Sequence, residues 1–143
     1  MSLPTVPTAV PLAPALLAIF IGAGLGACLR FALGEVLQRV QPWVPQLPLG
    51  TLAANLIGGY AVGVAIALLA WHTELSPIWR LAWITGFLGG LTTFSSFSAE
   101  VVAAFERGAW AAAGSIVLSH LAGSLLLTAL GLASVRALAP CAG

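Results

Sequence analysis

Apolar residues fill the 143-residue chain in four long runs separated by short polar turns. The runs fall at roughly 15–34, 49–71, 81–106 and 108–132. Each is long enough to cross a hydrocarbon core of about 30 Å as a helix rising 1.5 Å per residue. The expected fold is therefore an all-α integral membrane protein with four transmembrane helices per subunit. Residues 1–14 carry prolines at 4, 7, 11 and 14 and no positive charge. A signal peptide needs a basic start and a compact apolar core, so this stretch reads as a flexible leader. A single four-helix transmembrane domain follows over 15–137, with 138–143 as a tail. The connection over 35–48 is charged and glutamine-rich with three prolines, and 72–80 is a polar turn containing Pro77.

Polar positions inside the runs are few and patterned. Gly22 and Gly26 make a small-xxx-small face in the first span, which lets another helix approach closely, and Arg30 follows near its end. Thr51 and Asn55 lie four apart on one face of the second span. Ser115, Ser119, Ser124 and Thr128 form a stripe on the fourth span, read either as helix-helix glue or as a polar track. His120 alone reads as a packed histidine.

The third run departs from this regularity. Residues 85–98 read TGFLGGLTTFSSFS, with Gly86, Gly89 and Gly90 beside Thr92, Thr93, Ser95 and Ser96, and Ser98 just beyond. Phe94 and Phe97 are three apart and share a helical face. Small residues also serve close packing in lipid, but packing needs them every fourth position, not in a contiguous polar block. An unbroken helix over 81–106 would measure about 39 Å, longer than the bilayer core. The expectation is a helix broken between Gly89 and Thr92, its freed backbone covered by protein or a watery pathway.

Composition narrows the class. The chain is 60% hydrophobic and 6% charged, with a mean hydropathy of +1.07, against roughly 25% charged residues in a soluble domain. A net charge of +1 with no lysine offers nothing to a nucleic acid. Cys28 and Cys141 have no metal-ligand or redox spacing. No paired carboxylates or nucleophile constellation marks an enzyme. Five tryptophans, Trp43, Trp71, Trp79, Trp83 and Trp110, fall near span ends as an aromatic belt would.

Four glycine-rich helices are too few to enclose a pathway alone, so an oligomer is expected. Arg80 and Arg136 lie on the side of the N-terminus; Arg39 and Arg107 lie opposite, with Arg30 at a span end. Such a balance barely orients the chain. Copies inserted both ways up would pair about a two-fold axis in the membrane plane. On that axis the broken third helices would meet, and their carbonyls would suit a hard cation.

Three motifs carry a family resemblance: GAGLGACLRF over 22–31, GTLAANLIGGY over 50–60 and GFLGGLTTFSSFS over 86–98. With them the chain resembles the bacterial CrcB or Fluc fluoride channels over nearly everything beyond the leader. The resemblance implies an antiparallel, dual-topology homodimer in the bacterial cytoplasmic (inner) membrane, with two pores that pass fluoride out of the cell. It implies that Phe94 and Phe97 form the phenylalanine box, whose ring edges carry partial positive charge, and that Asn55 is the pore asparagine. It implies Ser95 and Ser98 by the polar track, with Ser124 or Thr128 as contributors from the fourth span. Arg30 and Glu100 would stand at the vestibule, and the backbone carbonyls of Gly89 and Thr92 would hold a central, non-transported Na+. Phe31, Ser96 and Tyr60 depart from the commoner residues but each keeps an aromatic or a hydroxyl. Two other readings compete. A small multidrug exporter would need an acid in the first span, and 15–29 has none; a non-conducting scaffold would use the glycines for packing alone.

Overall fold

A computed structural model describes residues 10–40, 48–72 and 74–138. Helix α1 spans Leu12–Val40 and α2 spans Leu49–Trp71. A short helix α3, Pro77–Arg80, leads into a π-helical segment, Leu81–Leu88, and then α4, Gly89–Leu91. After two extended residues come α5, Phe94–Glu106, and α6, Trp110–Leu138. All the regular structure among the described residues is helical, and four stretches are long and apolar enough to span a membrane, the third running Pro77–Glu106 through the break.

The boundaries follow local chemistry. Helix α1 starts at Leu12, inside the stretch expected to be a leader, because Pro14 sits in the first turn, where a missing N–H breaks no helical bond. It also runs past Gly34, the expected end, to Val40. No proline intervenes before Pro42, and Glu35 and Arg39 pair one turn apart at 3.8 Å. Ser76 caps α3, with Pro77 at its first position. Gly108, at φ +70°, takes the left-handed conformation that ends α5 and turns the chain into α6.

Packing rests on backbone contact. Helix α1 lies on the π-helical segment; α2 is central and packs mainly on α6. A Cβ at Gly22 would run into Ala82 O, and one at Gly26 into Phe87 O. The expected close-approach face of the first span is thus real, and its partner is the widened turn of the third. Across the other seam, a Cβ at Gly63 would meet Thr128 O and one at Gly131 would meet Tyr60 O. The buried side chains are accordingly few and mostly small. Ala54, Leu88 and Leu91 form one cluster, and Phe97, Ala104, Ala113 and Ile116 another. Outside them, Leu16, Phe20, Leu125 and Leu126 are exposed, as a surface solvated by lipid chains would be. Trp71, Trp79, Trp83 and Trp110 are exposed too; Trp43 lies outside the described residues.

Candidate functional site

The third span breaks at Thr92 and Thr93, whose φ/ψ values of −83°/155° and −151°/125° are extended. The break comes slightly later than its glycines indicate, since Gly89 and Gly90 are helical. What holds it open is a side chain on another helix. The Thr93 N–H, which would close on Gly89 O in a continuous helix, instead donates to Asn55 Oδ1 at 2.8 Å. Asn55 Nδ2 donates back to Thr93 O at 2.9 Å. Asn55 thus mimics a strand partner for one residue. Gly58, one turn on, leaves the room that the Thr92 methyl fills against α2.

Both ends of the gap are finished by hydroxyls. Thr92 Oγ1 donates to Leu88 O at 2.9 Å, closing the turn before the gap. Thr93 caps α5, its Oγ1 accepting from the Ser96 N–H at 3.2 Å and donating to Ser96 Oγ at 3.2 Å. Gly89 O loses its helical donor to Asn55, and Gly89 is exposed. A carbonyl so released fits the oxygen donor set that a hard cation takes.

Asn55 then reaches α6. Its Nδ2 donates a second hydrogen bond, to His120 Nδ1, at 3.1 Å. An amide nitrogen can only donate, so Nδ1 accepts and the His120 ring is neutral with its hydrogen on Nε2. His120 is 3% exposed, and Nε2 is buried without a partner among the described residues. An unmet buried donor costs about 1–3 kcal/mol. Its ring stacks on Phe97, with centroids 4.8 Å apart and planes at 27°. Phe97 in turn meets Phe94 edge-to-face at 5.4 Å.

Around these groups lies a cavity of about 310 Å³, lined by Asn55, Thr92, Phe94, Phe97, His120 and Ser124 among others. The two phenylalanines differ in setting: Phe97 is 7% exposed and Phe94 72%. Their rings touch, so one chain alone leaves no passage between them. Ser95 contacts Thr93 Oγ1 at 3.2 Å, and Ser98 donates to Phe94 O at 2.9 Å. Thr128 is not part of this cavity. Its hydroxyl is held between Gly59 O and Ser124 O at 3.0 and 2.8 Å.

A second polar group lies on the α1 and α5 side. Arg30 Nη1 donates to Ser96 Oγ at 3.5 Å, and Arg30 Nε is buried without a partner among the described residues. Thr51 Oγ1 donates to Glu100 Oε1, while Oε2 of that carboxylate is buried and likewise unpartnered. Arg30, Ser96, Thr93, Asn55 and His120 therefore form one hydrogen-bonded chain.

Three participants escape sequence reasoning. Thr93 acts mainly through its backbone, and Thr51 through a partner 49 residues away. His120 stands four residues before Ser124 and eight before Thr128, on their helical face, which was the available signal.

Residues 17–132 match the sequence model of the family described as "CrcB-like protein, Camphor Resistance (CrcB)". A protein of Burkholderia vietnamiensis named "Fluoride-specific ion channel FluC" is 53% identical over 119 residues, covering 83% of this chain and 91% of that protein. Its namesake from Chromobacterium violaceum is 56% identical over 119 residues, covering 83% and 92%. That from Nitrosomonas europaea is 54% identical over 120 residues, covering 84% and 92%. On the family match, the relatives and the four apolar spans, this chain is a multi-pass membrane protein belonging to the CrcB-like family.

Proposed function

We propose that this chain is a passive, fluoride-selective channel of the bacterial inner membrane that lowers cytoplasmic fluoride. The observation that carries the reading is the broken third span: its gap opens beside a cavity lined by aromatic rings, hydroxyls and the Asn55 side chain in an otherwise apolar bundle. Fluoride is small and strongly hydrated, so a pathway must replace its water with many weak donors. Phenyl edges supply partial positive charge, and a full cation beside the ion would hold it too tightly to release. Among the described residues, none that lines the cavity is an arginine. The names of the relatives point the same way.

The channel is an antiparallel homodimer of dual topology with two pores. Arg30 is committed to Ser96 inside the bundle, which leaves Arg39 and Arg107 against Arg80 and Arg136 at the span ends. Such even arginine placement leaves insertion unbiased. The exposed Phe94 ring is free to face a second copy, which would complete the passage that one chain lacks. Glu100 and Arg30 stand at the vestibule, and Ser95, Ser98 and Ser124 supply hydroxyls along the track. Thr128 joins helices. A structural Na+ would be held by the carbonyl oxygens of Gly89 and Thr92 from both copies, its charge neutralising their converging dipoles.

The test is fluoride efflux from proteoliposomes, read with a fluoride electrode after potassium is released by an ionophore. Wild-type protein should release fluoride but not chloride, with no need for a proton gradient. Phe94→Ala should lower the flux at least tenfold while dimers persist on size exclusion, because the ring is exposed and contributes little to the fold. Absence of fluoride efflux from the wild type, or equal efflux of both halides, overturns the reading.

A further inference from the structure

We infer that Asn55 is a positioning residue for a cation at the broken third span: by taking the Thr93 N–H, it keeps the Gly89 carbonyl free for Na+. The inference rests on the sodium-centred dimer proposed above and deepens it. In a continuous helix the Thr93 N–H would donate to Gly89 O. Here it donates to Asn55 Oδ1 at 2.8 Å, and Asn55 Nδ2 returns a hydrogen bond to Thr93 O at 2.9 Å. The amide cannot be turned over, because the reversed group would set donor against donor and acceptor against acceptor. It is also held from behind, since Nδ2 donates to His120 Nδ1 at 3.1 Å. Both amide hydrogens are thereby spent, and Asn55 acts through the backbone that it grips.

The consequence falls on one carbonyl. Leu88 O accepts two hydrogen bonds, from the Thr92 N–H at 3.0 Å and from Thr92 Oγ1 at 2.9 Å. The next carbonyl, Gly89 O, has no backbone donor among the described residues, and Gly89 is exposed. A carbonyl without a donor at membrane depth needs another partner. A hard cation takes such oxygens, and the same carbonyl of a second copy would double the set. Without Oδ1, the Thr93 N–H would have one ready acceptor, Gly89 O. That bond would close the helix and withdraw the oxygen from the cation.

The chain has two Gly-Gly pairs, Gly58–Gly59 and Gly89–Gly90. Glycine labelled with carbonyl carbon-13 and nitrogen-15 therefore gives two carbon–nitrogen correlations, and Gly59→Ala assigns them by removing one. In detergent, replacing N-methylglucamine by Na+ should shift the Gly89 carbonyl of wild-type protein and leave that of Gly58 in place. Asn55→Leu fills the site without an acceptor and should leave both carbonyls indifferent to Na+. Asn55→Asp keeps an oxygen for the Thr93 N–H and should keep the response. Thermal melts should separate the same variants, because an ion that binds only the folded protein raises its Tm. Na+ should raise the Tm of wild type and of Asn55→Asp by about 5 °C or more, and that of Asn55→Leu by about 1 °C or less. A merely structural asparagine would lower Tm equally with and without Na+.

A wild type that conducts fluoride while its Gly89 carbonyl and its Tm ignore Na+ sinks this inference and leaves the fluoride reading standing. A folded Asn55→Leu with the full Na+ response does the same. A wild type that answers to Na+ but passes no fluoride sinks the fluoride reading and leaves the clamp.

Discussion

Helices α2 and α6 meet at two levels, and what separates their backbones differs between them. At Gly63 and Gly131 nothing separates them: each glycine faces a carbonyl of the other helix, and the Thr128 hydroxyl is closed on two carbonyls. About 12 Å along α2, two helical turns away, Asn55 and His120 stand between the helices. There a cavity opens and a buried N–H is left over. The same pair of helices thus makes a seal at one level and a site at the other. In a lipid solvent both small residues and polar residues draw helices together. What distinguishes a site is polar capacity that the protein's own contacts leave unused.

Breaking the seal should have the largest effect. Gly63→Ala places a methyl group onto the Thr128 carbonyl and within 2.8 Å of Leu132 N, both backbone atoms that cannot swing away. The helices must separate, and the loss should reach or exceed the roughly 3 kcal/mol upper range of core overpacking. Thermal unfolding in detergent, followed by circular dichroism, should show it as a large fall in Tm or as loss of monodisperse protein. Gly24→Ala is the control. Among the described residues nothing lies within 4 Å of a Cβ there, and its effect should stay within about 0.5 kcal/mol. Equal behaviour of the two variants would show that backbone contact is not what holds α2 to α6.

How far the sequence reaches follows the same division. The four spans are legible because hydrocarbon thickness sets their length and composition. The tight face of α1 is legible because small residues four apart have one common use. The site is legible in its residue types and less so in its geometry. Gly89 and Gly90 mark the neighbourhood of the break, but its position is set by Asn55 across 38 residues of chain, which no local pattern encodes. Ser124 and Thr128 share a stripe and a chemistry; one lines the cavity and the other joins α2 to α6. Only the register between α2 and α6 assigns them. The π-helical segment over 81–88, packed against α1, has no signature in its residues.

The cap at the break sharpens the comparison at intermediate cost. Thr93 holds Asn55 with backbone atoms and starts α5 with its side chain. Thr93→Ala should therefore remove only the cap, about 1 kcal/mol, and leave the asparagine clamp in place. Thr93→Ser should restore the stability. In thermal melts a fall of several kilocalories for Thr93→Ala would mean that the hydroxyl network, not the backbone clamp, keeps the third span open.

The smallest effect expected is at Thr128, and it is the most direct test of the two-level picture. Thr128→Val keeps the shape of the side chain and removes a hydroxyl whose acceptors, Gly59 O and Ser124 O, are backbone carbonyls on ordered helices. Interhelical hydrogen bonds in membranes contribute about 0.6 kcal/mol on average, so Tm should move by little. Fluoride flux should stay within about twofold of wild type, because the hydroxyl faces the seal and not the cavity. A tenfold loss of flux in a well-folded Thr128→Val would place that hydroxyl on the ion's route. The polar track would then pass through the seal itself, and the cavity beside Asn55 would no longer mark where the pathway runs.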